Sequence, residues 1–118
     1  MTVLLTALLL ATTSLSSPSP AASPAAFVVH IKDFAYAPEP LRIHVGDTVR
    51  FINDDEEPHT VTATDKSFDS TALDTNGTWT HTFAKAGTFA YFCELHPYMK
   101  ATVIVTAAPS ATATGADK

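Results

Sequence analysis

Gly87-Thr88-Phe89-Ala90-Tyr91-Phe92-Cys93-Glu94-Leu95-His96-Pro97-Tyr98-Met99-Lys100-Ala101-Thr102-Val103-Ile104-Val105 is the stretch on which the reading of the chain turns. Gly87 opens it, and Phe89, Tyr91 and Cys93 then fall on one face of a strand, because strand side chains alternate between two faces. Ala101 to Val105 forms a second β-prone run. Between the two runs, Cys93 to Met99 places a thiol, an imidazole and a thioether within a few residues of one another.

The same alternation recurs toward the N-terminus. Phe27, Val29 and Ile31 share a face, as do Leu41, Ile43 and Val45, and the Gly46-Asp47 turn leads into Thr48 to Phe51. His59, Val61 and Ala63 alternate with Thr60 and Thr62, and Asn76-Gly77 precedes Thr78 to Phe83. No helical period longer than a turn is found. Seven or eight short strands divided by turn residues predict an all-β sandwich or barrel. In this pattern His59 and Cys93 both point inward at strand ends. His30 and His44 fall on polar faces, and His81, sharing a face with Trp79 and Phe83, reads as a hydrogen-bonded structural histidine.

Composition divides the 118 residues into three. Residues 1–26 carry no charged side chain; an apolar run from Val3 to Ala11 passes into Ser, Pro and Ala. That run is shorter than the roughly 20 residues that span a bilayer and fits the apolar core of a secretory signal, although no Lys or Arg precedes it. Residues 27–106 form the expected domain, and residues 107–118, poor in core-forming side chains, read as a disordered tail. The chain is therefore expected in the periplasm or another extracytoplasmic space, as a monomer without stable membrane insertion of its mature form. All 7 basic and 12 acidic residues lie beyond residue 26, giving a net charge of −5. This acidic balance argues against nucleic acid as a partner. A lone cysteine excludes an internal disulfide and, in an exported chain, calls for pairing, reactivity or a metal as its explanation.

A metal explains more of the pattern than packing does. Cys, His or Met alone is most simply core filling. Cys-x₂-His-x₂-Met at a strand end, with an inward His 34 residues earlier, is a set of donors: His59, Cys93, His96 and Met99. Two imidazoles and a thiolate in a plane with a distant thioether make the ligand set of an electron-transfer copper, which must suit both Cu(I) and Cu(II).

These residues resemble the blue copper proteins, or cupredoxins, and among them the amicyanin-like group, whose loop has the spacing of Cys93, His96 and Met99. Phe51 to His59, Gly46 to Val49, Ser67 to Ser70 and Ala86 to Phe89 also fit that family. The resemblance implies an eight-stranded Greek-key β-sandwich with copper at one end, bound by His59, Cys93, His96 and Met99. It also implies that His96 serves as the electron port within an apolar patch of Leu95, Pro97 and Tyr98. Thr60 departs from the asparagine frequent in relatives, keeping the amide that bonds the thiolate but bracing the loops through one hydroxyl only. The acidic run Asp54, Asp55, Glu56 and Glu57 ends two residues before His59 and reads either as a solvated loop or as a means of steering a basic partner.

The function expected is a one-electron carrier between a redox donor and a redox acceptor, with storage, delivery or tolerance of copper as the alternative. No enzyme is expected. Cys93 is flanked by Phe92 and Glu94, not by the histidines that wire a multicopper oxidase, and no second centre is evident.

Overall fold

A computed structural model describes residues 11–14 and 24–108. Most of the expected signal segment (1–26) and of the expected tail (107–118) lies outside the described residues. The rest forms eight strands: β1 (Ala26–Lys32), β2 (Ala35–Ala37), β3 (Leu41–His44), β4 (Thr48–Asn53), β5 (Thr62–Ala63), β6 (Thr78–Thr82), β7 (Gly87–Phe92) and β8 (Lys100–Thr106). Two four-stranded sheets, in the orders β2-β1-β4-β6 and β3-β8-β7-β5, make the expected sandwich.

The chain passes repeatedly from one sheet to the other, which is why each sheet is mixed. β2 folds back on β1 through a two-residue turn at Asp33-Phe34. Pro38 and Pro40 then carry the chain out of the first sheet, since proline has no N–H for a ladder. β3 pairs parallel with β8, and a turn at Val45-Gly46 returns the chain to lie as β4 parallel to β1. Gly46 has φ +95, a conformation that costs an L side chain dearly.

Alternation supplies the core between the sheets. Val29 and Ile31 from β1, Val49 and Phe51 from β4, Tyr91 from β7, and Val103 and Val105 from β8 are all buried. The Phe51 ring lies 5.7 Å from both Trp79 and Tyr91, joining the layers. Sequence alternation fails at one place: His59, Thr60, Val61, Thr62 and Ala63 are all buried. Only Thr62 and Ala63 are strand, and loop 64–73 covers the side that the pattern assigned to solvent, bridging at His59–Leu73 and Thr62–Asp69. His30 and His44 are exposed as expected. His81 is half-buried, but rings hold it: it stacks on Trp79 at 5.2 Å and meets Phe68 and Phe83.

The two ends of the sandwich are built differently. The end of β4 at Asn53, the exit of β7 into Cys93, the start of β8 at Lys100 and the β1–β2 turn meet at one end. At the other, the buried Asp47 carboxylate accepts the amides of Ala25 and His44, each at 2.8 Å, and pins the turn between β3 and β4. Those two amides hold the Asp47 carboxyl below the usual carboxylate range, against the opposing effect of burial. A depressed carboxyl contributes stability that is complete above the unfolded value of about 4 and fades as pH falls through the folded value. Asp47→Asn is therefore expected to lower the urea midpoint at pH 7, with the gap from the parent closing as the titration is repeated below pH ~4.

Candidate metal centre

Three of the residues that the sequence offers as donors, His59, Cys93 and His96, bring their ligand atoms together. His59 Nδ1 lies 3.7 Å and His96 Nδ1 3.6 Å from Cys93 Sγ, and the three atoms are all within 4.8 Å of one another. Bonds of roughly 2.0 Å to nitrogen and 2.3 Å to sulfur, opening at roughly 110–120°, give N···S separations of about 3.5–3.7 Å. The spacing therefore fits a single first-row metal ion. Met99 is buried in the adjoining core, and its backbone belongs to the same loop.

Each donor is aimed by a different part of the chain. His59 sits where the segment after β4 bridges Leu73, its N–H donating to Leu73 O and its carbonyl accepting from Leu73 N. Its ring is fully buried, with Nε2 2.8 Å from an Asp55 carboxylate oxygen. An ionised carboxylate can only accept, so Nε2 carries the proton and the Nδ1 lone pair faces Cys93. Carboxylate, imidazole and metal commonly stand in this order, which fixes both the tautomer and the ring angle.

Asp55 is the residue that the sequence pattern misassigned. Read as one of four solvated charges, it is only 7% exposed and accepts three hydrogen bonds, from His59 and from the amides of Asp33 (2.7 Å) and Phe34 (3.0 Å). Burial alone would raise its carboxyl; the two amides and the imidazole outweigh this and hold it below the ordinary range. Asp54 is also engaged, lying 2.6 Å from His30 Nδ1. Glu56 and Glu57 are left as the exposed members of the run. The missed signal was local: Asp55 stands four residues before a ligand candidate.

The loop from Cys93 to Met99 is held by its own backbone. His96 N donates to Cys93 O, Met99 N to His96 O, and Cys93 N to Met99 O, at 3.2, 2.8 and 3.1 Å. This ring of three hydrogen bonds closes the loop and holds the backbones of Cys93, His96 and Met99 together. Cys93 is wholly buried, and its sulfur accepts the Thr60 amide at 3.3 Å.

Thr60 ties the two ligand segments together. Thr62 Oγ1 must donate to the Asp69 carboxylate, so Thr60 Oγ1 donates to Thr62 and accepts from Glu94 N at 2.8 Å. One hydroxyl thus braces the Cys93 loop against the His59 segment through a directional relay. The Thr60 carbonyl accepts the Tyr36 hydroxyl at 2.6 Å, linking β2 to the same point. Thr60→Val keeps shape and amide but strands the Glu94 amide and removes the hydrogen bond that Thr62 Oγ1 accepts, leaving Thr62 its bond to Asp69; we expect a loss of about 1–3 kcal/mol in urea unfolding.

Comparison with known proteins agrees with this geometry. The Cupredoxin-like domain family matches residues 4–105. Amicyanin of Paracoccus denitrificans is 34% identical over 85 residues, covering 68% of this chain and 65% of that protein. The chain thus spans just under two thirds of the length of that relative. An oxidised amicyanin variant superposes with a TM-score of 0.64 at 33% identity, over 68% of this chain and 81% of the other. A copper-containing nitrite reductase from Thermus scotoductus superposes with a TM-score of 0.65 at 27% identity, over 79% of this chain but 25% of the enzyme. With its mixed two-sheet sandwich and its histidine–cysteine–histidine cluster at one end, the chain belongs to the cupredoxin family.

Proposed function

We propose that this chain is a type 1 (blue) copper protein that carries single electrons between extracytoplasmic redox partners. The observation that carries the reading is the cluster in which His59 Nδ1 and His96 Nδ1 lie 3.7 and 3.6 Å from Cys93 Sγ, with His59 and Cys93 buried at one end of the sandwich. His59, Cys93 and His96 would hold the ion, and Met99 would add a weak thioether donor. Copper supplies a one-electron couple there.

The protein's own contribution is rigidity and exclusion. The Thr60 amide on the sulfur, the Asp55 carboxylate on His59 and the hydrogen-bonded loop fix the donors, so little needs to move when charge changes. His96 is the half-buried member of the set, flanked by Leu95 and Tyr98, which are 50% and 69% exposed. An apolar collar around a ligand imidazole suits brief docking of a redox partner, because it desolvates easily and brings the ring within reach. Glu56 and Glu57, exposed on the loop that leads to His59, and the net charge of −5 favour a basic partner and a salt-sensitive encounter.

A single small centre of this kind makes the chain a carrier and not an enzyme in our reading. Its likeness to nitrite reductase reaches a quarter of that protein, the extent of one shared fold unit. Export rests on the uncharged apolar segment before residue 27 and on the amicyanin relatives.

Addition of Cu(II) to the full chain is expected to give an intense blue absorption and narrow copper hyperfine splitting at one ion per chain, both lost in Cys93→Ala. A colourless complex or ordinary tetragonal spectra would end the reading. Met99→Leu should keep the colour and raise the potential measured by voltammetry, since losing a weak donor disfavours Cu(II) more than Cu(I).

A further inference from the structure

Phe34 stands where backbone geometry favours glycine or asparagine. It has φ +57 and follows Asp33 at φ +52, the paired left-handed conformations of a tight hairpin turn. A bulky side chain gains nothing from that conformation. Burial does not account for it either, since Phe34 is 40% exposed.

Its ring is occupied elsewhere. It stands edge-on to both imidazoles, with centroids 5.3 Å from His59 at 89° and 5.0 Å from His96 at 84°. The two imidazoles are 4.9 Å apart, so the three rings form a closed group. Tyr98 approaches His96 alone, at 6.1 Å. The Asp55 carboxylate that orients His59 also accepts the amides of Asp33 and Phe34. One group therefore fixes a ligand candidate and the turn that presents the ring. His96 has most need of such support: it is half-buried, and among the described residues its ring Nδ1 is within hydrogen-bonding reach of the Cys93 sulfur alone.

We propose that Phe34 is a positioning residue of the metal centre, a clamp that presses on His59 and His96 together, keeps His96 over Cys93 and shields the sulfur from outside reagents. The part of this that concerns bound copper rests on the function proposed above. The part that concerns the thiol does not.

The test uses the full chain with Phe34→Gly and Phe34→Leu. Glycine suits a left-handed turn, so it removes the ring while sparing the fold; leucine keeps apolar bulk without a flat edge. Transfer of Cu(I) to excess bicinchoninate should be about tenfold faster for Phe34→Gly than for the parent, with Phe34→Leu between them. In the metal-free protein, iodoacetamide should alkylate Cys93 severalfold faster in Phe34→Gly, at an unchanged or higher urea midpoint. Parent-like rates in the glycine variant would overturn the proposal. So would faster rates that merely track a fall in urea midpoint, because the ring would then act through the fold. If the parent takes up no copper, the electron-carrier reading fails, and the alkylation rates still decide whether Phe34 clamps the imidazoles.

Discussion

The ligand end of this molecule depends on one buried carboxylate. Asp55 draws together the β1–β2 turn, the segment after β4 and the His59 ring by accepting three hydrogen bonds. A carboxylate out of water is costly unless its oxygens are satisfied, and here two amides and an imidazole satisfy them. Asn53 supports the arrangement from behind: its side-chain oxygen accepts the Asp55 amide, and its nitrogen donates to the carbonyls of Glu57 and Leu73. The acidic loop is thereby stitched to the strand it leaves and to the segment that bridges His59. Remove the charge, and the turn, the ring it presents and the imidazole all lose their common anchor.

This dependence explains which features could be read from the chain and which could not. The closeness of Cys93 and His96 is legible because a short loop must place neighbouring donors together whatever the rest does. Strands β1, β4, β7 and β8 are legible because one face is buried and one exposed, and period two records that directly. His59 was assigned inward from the same pattern, yet the pattern holds there only in part, since loop 64–73 buries both faces. β2 was too short, at 3 residues, to carry any periodic signal. Asp55 looked like its neighbours because composition cannot tell a solvated carboxylate from one that has met two amides across the fold. Phe34 was silent for a similar reason: a sequence does not announce a left-handed aromatic.

The centre is also economical in what it asks of the scaffold. His59 arrives from one sheet's crossover and Cys93 from the other sheet's strand end, so the sulfur and its partner nitrogen meet only when the sandwich is closed. Thr60 then spans the joint with its amide on the sulfur, its hydroxyl on the Cys93 loop and its carbonyl under the Tyr36 hydroxyl. A threonine does this with three short bonds and no long side chain, which leaves little slack between the ligand segments.

The loop from Cys93 to Met99 closes on itself through bonds from residue 96 to 93, from 99 to 96 and from 93 to 99. The interval of three is thus both the spacing of the turns and the spacing of Cys93, His96 and Met99. Substitution at Glu94, Leu95, Pro97 or Tyr98 leaves that arithmetic intact, so these four positions are free to drift and to remodel the surface seen by a partner. Insertion or deletion of one residue breaks a backbone bond and misplaces a donor at the same stroke. Divergence within such a loop should proceed by replacement, and a change of length should come only as a jump to a different closed pattern.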